Sequence, residues 1–143
     1  MPDYVEQIAS NGKLLACVVR RQVAPDATTF VTQPELDLQV GFVVYPAGGE
    51  VKPHAHRPID RHIVGTSEVL IVKRGRCVVD VYDVDSRLVA SPVLETGDLI
   101  VLLGYGHGCR MLEDTLLLEV KQGPYLGLDE KIPLRSTSDR DPG

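Results

Sequence analysis

His54-Ala55-His56 sets two imidazoles one residue apart. In a segment with strand character, positions i and i+2 point to the same side of the sheet. Two imidazoles on one side can hold one metal ion or one substrate. Three of the four histidines, His54, His56 and His62, fall close together, and His107 follows Gly104-Tyr105-Gly106. Glu68 opens a later apolar run and shares its face with Leu70 and Val72. A carboxylate on an apolar face is costly to bury unless it is paired or bound to a cation. His107 likewise shares its face with Cys109 and Met111. Imidazoles plus one carboxylate suit Zn, Fe, Mn, Ni or Cu. Each residue also has a plain reading: His-x-His occurs on solvated strand edges, and Glu68 can be a strand-start surface residue.

Other polar residues frame this set. Arg57, Asp60, Arg61 and His62 form either a polar lid with an arginine that grips a carboxylate or phosphate, or a solvated loop. His62 is a candidate extra ligand or general base. Glu119 and Lys121 share one side of the last strand, opposite Leu116, Leu118 and Val120. They read as an interior pair that touches substrate or as a solvent-facing ladder, and the ladder is slightly favoured. Tyr105 or Tyr125 could supply a phenol, although packing at a rim is commoner for tyrosine. Cys109 could be a ligand, with core packing the commoner role. The glycine-rich run 104–108 lacks the lysine and the strand–helix context of a phosphate loop. No Gly-x-Ser-x-Gly elbow is present.

Short runs of Val, Ile and Leu, broken by Gly, Pro and Asp, must position these groups. Asn11-Gly12 signals a hairpin turn between strands at 4–9 and 13–20. Residues 22–33 read as a loop. Further strands are expected at 36–45, 51–56, 67–73, 77–82, 88–94, 99–103, 107–111 and 115–122. About nine or ten short antiparallel strands with tight turns suggest a barrel or sandwich. One domain over 1–134 is expected, followed by a polar, flexible tail over 135–143.

The 143-residue chain is 43% hydrophobic with few aromatics and no Trp, so its core must be aliphatic. A net charge of −5 argues against nucleic acid and lends no support to an anionic membrane surface. Cys17, Cys77 and Cys109 are odd in number and lack metal-type spacing. They read as free thiols of a reducing compartment. With no signal-peptide pattern and no span-length apolar run, a cytoplasmic protein is the expectation.

Gly48, five residues, then His54-Ala55-His56, and later Glu68, six residues, then Gly75, resembles the first motif of the cupin superfamily. The run from Gly97 to Leu103, leading to Gly106-His107, resembles the second. The resemblance covers close to half the chain. It implies an all-β, double-stranded β-helix (jelly-roll) barrel in which His54, His56, Glu68 and His107 meet and bind one divalent transition metal, Fe, Mn, Ni or Zn. Three features depart from the family pattern. Eleven residues separate His56 from Glu68, so 57–66 looks like an insertion, and Asp60 sits at the usual spacing as a rival carboxylate. Glu68 is preferred because its distance to Gly75 fits. Leu103 replaces the usual proline, with one residue fewer before His107, and Met111 replaces the usual asparagine.

Three functions follow. The first is a metal-dependent enzyme acting on a small, anionic organic molecule by oxygenation or isomerisation, with Arg57, Arg61, Glu119 and Lys121 at the substrate. The second is a metal-free nucleotide-sugar epimerase or ketoisomerase that uses His54 or His56 as base and Tyr105 as acid. The third is a non-catalytic small-ligand-binding module. A homodimer is expected, by analogy with the family, through the apolar first strands.

Overall fold

The computed structural model describes residues 1–134; the tail expected at 135–143 lies outside the described residues. Among the described residues the chain is all-β apart from one 3-10 turn at Gly127–Glu130. Its eleven strands are β1 (Glu6–Ser10), β2 (Lys13–Val19), β3 (Thr29–Phe30), β4 (Gly41–Phe42), β5 (Glu68–Arg74), β6 (Arg76–Tyr82), β7 (Leu88–Ala90), β8 (Val93–Glu95), β9 (Leu99–Leu102), β10 (His107–Met111) and β11 (Leu116–Lys121). All pairings are antiparallel. One sheet runs β1-β2-β9-β5-β11. In the other, β6 lies between β10 on one side and β7 and β8 on the other. β3 and β4 form a separate two-stranded ribbon.

The two larger sheets pack face to face. Ala16, Val18, Leu70, Val72, Ile100 and Leu102 of the first meet Cys77, Val79, Val81 and Leu94 of the second. Alternation sends Cys17, Val19, Val69 and Val101 to the opposite face of the first sheet, where Val31, Val40 and Phe42 cover them. The centre of this sheet is therefore buried on both faces, which is why β2 and β9 read as unbroken apolar runs. A bulge adjusts the pattern at its edge. Ile8 pairs Ala16 and Ala9 pairs Leu14, so Leu15 is an extra residue. Leu15 and Ala16 consequently both enter the inner core.

Turn chemistry follows the residues that permit it. Asn11 (φ 50°) and Gly12 (φ 74°) are both left-handed, as the β1–β2 hairpin requires. Gly75 (φ 88°) joins β5 to β6, and a Cβ there would strike the Asp114 carbonyl.

Three expected strands differ. The 88–94 run divides into β7 and β8 at Ser91-Pro92, where proline cannot donate to the ladder. The 36–45 run contributes only β4, which pairs with β3 inside the stretch read as a loop. The 51–56 run forms no strand and is exposed throughout. Pro53 and Pro58 remove two amide donors from it and bias their neighbours away from a regular ladder.

Both sheets have open edges. β11 and β1 each have one neighbour in the first sheet, and β10 has one in the second. β2 lies between β1 and β9, so only β1 of the two first strands has a free edge.

Candidate functional site

Glu68 begins β5 directly opposite Lys121 of β11 and Leu102 of β9. Its side chain follows the Leu70 and Val72 side of the strand and enters the space between the sheets, where the residue is 8% exposed. His107 begins β10 opposite Val81, on the side that carries half-buried Cys109 into the same core. The two side chains meet across the gap: His107 Nε2 lies 2.5 Å from Glu68 Oε1. Of the other ion pairs among the described residues, three link neighbours within one sheet or its turns, and exposed Arg21–Glu95 joins the end of β2 to β8 at the surface. Glu68–His107 is the ion pair among them that bridges the two layers through a buried carboxylate.

The contact with His107 holds the Glu68 carboxyl below its ordinary range, with further help from Glu119 and Lys121 and against the effect of burial. When the ring is neutral, His107 donates Nε2–H to this carboxylate and keeps the lone pair on Nδ1.

Register settles the orientation of Glu119 and Lys121. Glu119 pairs Leu70 and Lys121 pairs Glu68, and directly opposed residues share a face. The pair therefore stands on the Glu68 side of the sheet, within hydrogen-bonding reach of Glu68 in the case of Glu119. Lys121 is half-buried there, whereas Glu119 stays exposed, as the solvent-facing reading has it. Leu116, Leu118 and Val120 are the residues left outward, each about half exposed. Alternation alone could not reveal this, because polar-in and polar-out give the same pattern. Lys121 Nζ also lies 5.4 Å from the centre of the Tyr125 ring.

His54 and His56 stand together, but on the exposed segment before β5. Their rings contact edge to face with centroids 5.1 Å apart. His54 Nδ1 lies 2.8 Å from the Lys52 carbonyl oxygen. A carbonyl only accepts, so Nδ1 carries the proton and Nε2 presents its lone pair outward. Ligating histidines are commonly oriented this way. Among the described residues, no three His, Cys, Asp or Glu side chains are close enough to hold a metal ion. The four expected ligands thus form two pairs, His54–His56 and Glu68–His107. Their donor set of imidazole nitrogens and one carboxylate fits a divalent transition metal.

The remaining candidates distribute as follows. Arg57 and Asp60 are exposed on the same segment as His54. Arg61 and His62 line an open cleft of about 640 Å³ with Pro34, Glu35, Leu36, Asp37 and Gln39. This cleft is tied to the start of β5 through Gln122, which accepts from Ser67 N and donates to the Asp37 carbonyl. Tyr105 packs against the inner core two residues before His107. Burial raises the Cys109 thiol to about 12, and Cys17 to about 11, as expected of core residues.

Sequence reasoning passed over three buried acids, Asp98, Asp80 and Asp83, of which the first two are ion-paired to arginine. Asp98 accepts from Arg21 N, Glu95 N and Arg20 Nη1. Burial works against its charge, but these donors keep its pKa low. Asp80 is held by both Arg110 Nε and Nη2 and by Ser91 Oγ. Both are fully committed to local partners and act as struts. The Thr96-Gly97-Asp98 turn was the visible signal for the first.

No protein-family model, curated protein or solved structure matches this chain. Among the described residues, no helix is long and apolar enough to cross a membrane.

Proposed function

We propose that this chain is a jelly-roll protein of the cupin type that binds one divalent metal ion through His54, His56, Glu68 and His107 and acts on a small organic anion. The observation that carries this reading is the Glu68–His107 pair. A carboxylate lies between two apolar sheet faces and meets an imidazole at 2.5 Å. Such a group is retained against its desolvation cost when it serves a cation or a proton. The His54–His56 pair supplies the same donor chemistry with Nε2 of His54 available.

The ion, of the Fe, Mn, Ni or Zn class, would supply Lewis acidity toward a carbonyl or enolate, or oxygen chemistry for a redox metal. The chain's own residues do the rest. Lys121 offers an ammonium to the substrate anion beside Glu68, and Arg57 and Arg61 add guanidinium forks from the exposed segment. Glu119 adds a second carboxylate on the Glu68 side of β11. Leu70 and Leu102 exclude water from the inner side of the pair.

A second reading is favoured by the same contact. Glu68 fixes the tautomer of His107 and leaves Nδ1 as a base, so a metal-free epimerase or ketoisomerase would use His107 rather than His54 or His56, with Tyr105 as acid. A non-catalytic binder would need the same pocket without a base.

Elemental analysis of tag-free protein separates these readings. About one equivalent of transition metal per chain is expected, falling at least tenfold in Glu68→Gln and in His54→Ala/His56→Ala. Full stoichiometry in both variants, or none in the wild type after reconstitution, would overturn the metal site.

A further inference from the structure

Every residue from 43 to 65 is exposed. The segment nevertheless carries Val43 (63% exposed), Tyr45 (53%), Val51 (57%), Ile59 (61%) and Val64 (81%). Among the described residues, 51–60 makes no hydrogen bond to the sheets; the single bond there joins His54 to Lys52. Apolar side chains in such number on a solvated segment mark a contact surface. The same chain leaves two sheet edges open at β10 and β11. Beside them lie Leu116, Leu118 and Val120 on β11 and Met111 at the end of β10, each about half exposed. Open edges with apolar flanks are seldom left uncovered.

Segment and edges each need what the other has. The segment carries three imidazoles, His54, His56 and His62, and the cations Lys52, Arg57 and Arg61 beside the acids Glu50 and Asp60. The receiving mouth carries the acids Glu68 and Glu119, with Lys121 and His107 beside them. Both halves occur once per chain, so a second copy satisfies both needs together under a two-fold axis. Fully extended, about twelve residues span roughly 40 Å. Half of the segment can therefore cross a small domain and the other half return.

We propose that residues 43–65 form an exchanged arm that lies on the open β10 and β11 edges of a second copy of this chain, bringing His54 and His56 of one protomer to Glu68 and His107 of the other. The assignment of a partner rests on the exposed arm and the open edges. The assignment of a shared site rests in addition on the metal reading above.

Sedimentation equilibrium in chelator tests the first without metal. Twice the 15.6 kDa chain mass is expected, and a monomer would overturn the proposal. Complementation tests the second. His54→Ala/His56→Ala and Glu68→Gln/His107→Ala chains are exchanged by mild denaturation and refolding, then titrated with Zn²⁺ alone. Each parent should bind little. The mixture should recover about a quarter of wild-type sites, because half of the random dimers are mixed and each has one whole site. No recovery, while wild type binds about one ion, would overturn exchange and leave the metal site standing. If wild type binds no ion, the metal reading fails and cross-linking decides. Carbodiimide applied to mixed heavy- and light-isotope chains should join Lys52 to acidic residues of the opposite label. Lys52 joined only to its own label, or not joined at all, would overturn the arm.

Discussion

The β2–β9–β5 centre and the β10/β11 margin are built from similar sequence and end in opposite states. Leu-Leu-Ala-Cys-Val-Val of β2 is buried on both faces, whereas Leu-Leu-Leu-Glu-Val-Lys of β11 leaves three apolar residues half exposed. The difference is one of coverage rather than hydropathy. Val31, Val40 and Phe42 lie over the outer face of the centre, and no described element lies over that of β11. Stability is thus concentrated at the centre, and the polar chemistry collects where the sheets stay open.

Substitutions should separate the two regions by size of effect. Ile100→Ala, in the fully buried centre, should cost about 2–5 kcal/mol in urea unfolding. A loss below 1 kcal/mol would mean the centre is looser than its burial implies. Asp98→Ala removes the acceptor of three donors and should cost about 2–4 kcal/mol; a neutral result would show that water replaces it. Leu118→Asp, at the margin, should leave the far-ultraviolet circular dichroism intact and weaken self-association at least tenfold. Unchanged association would remove β11 from the contact.

The acid limb gives a subtler comparison. Glu68 is held below the ordinary carboxylate range by His107, so it contributes stability above its unfolded pKa that is lost as pH falls through the folded one. Wild type should lose urea resistance below about pH 4.5 more steeply than Glu68→Gln. Parallel curves would show that the bridge between the sheets adds nothing. Tyr4→Phe should be the mildest change. The Tyr4 hydroxyl is buried without a partner among the described residues, so its removal should be neutral or stabilise by about 1 kcal/mol at most.

The centre was the more legible region. Continuous apolar runs and the Asn11-Gly12 turn announced β1, β2, β5, β6 and β9 to within a residue or two, because burial on two faces and positive φ leave little choice of residue. That Glu68 and His107 lie on otherwise apolar strand faces was also readable, whereas their meeting was an implication of the cupin resemblance. At the margin the bounds of β10 and β11 were as legible, but the segment before β5 and the side taken by Glu119 were not. Valine and histidine gave 51–56 strand character, but Pro53 and Pro58 withhold the amides a ladder needs. The side on which Glu119 lies depends on its register with β5, a long-range fact that alternation does not encode.

The extra residue at Leu15 has a consequence for how this chain can change length. In the regular stretches of the central strands, away from this bulge and the one at Lys73 of β5, losing one residue would turn the following side chains inside out. At the bulge, losing Leu15 would join outward Leu14 to inward Ala16 and restore simple alternation. A deletion there would empty volume from the core yet preserve every orientation beyond it. In descent, that hairpin is the place where the sheet can gain or lose a residue without being reinvented.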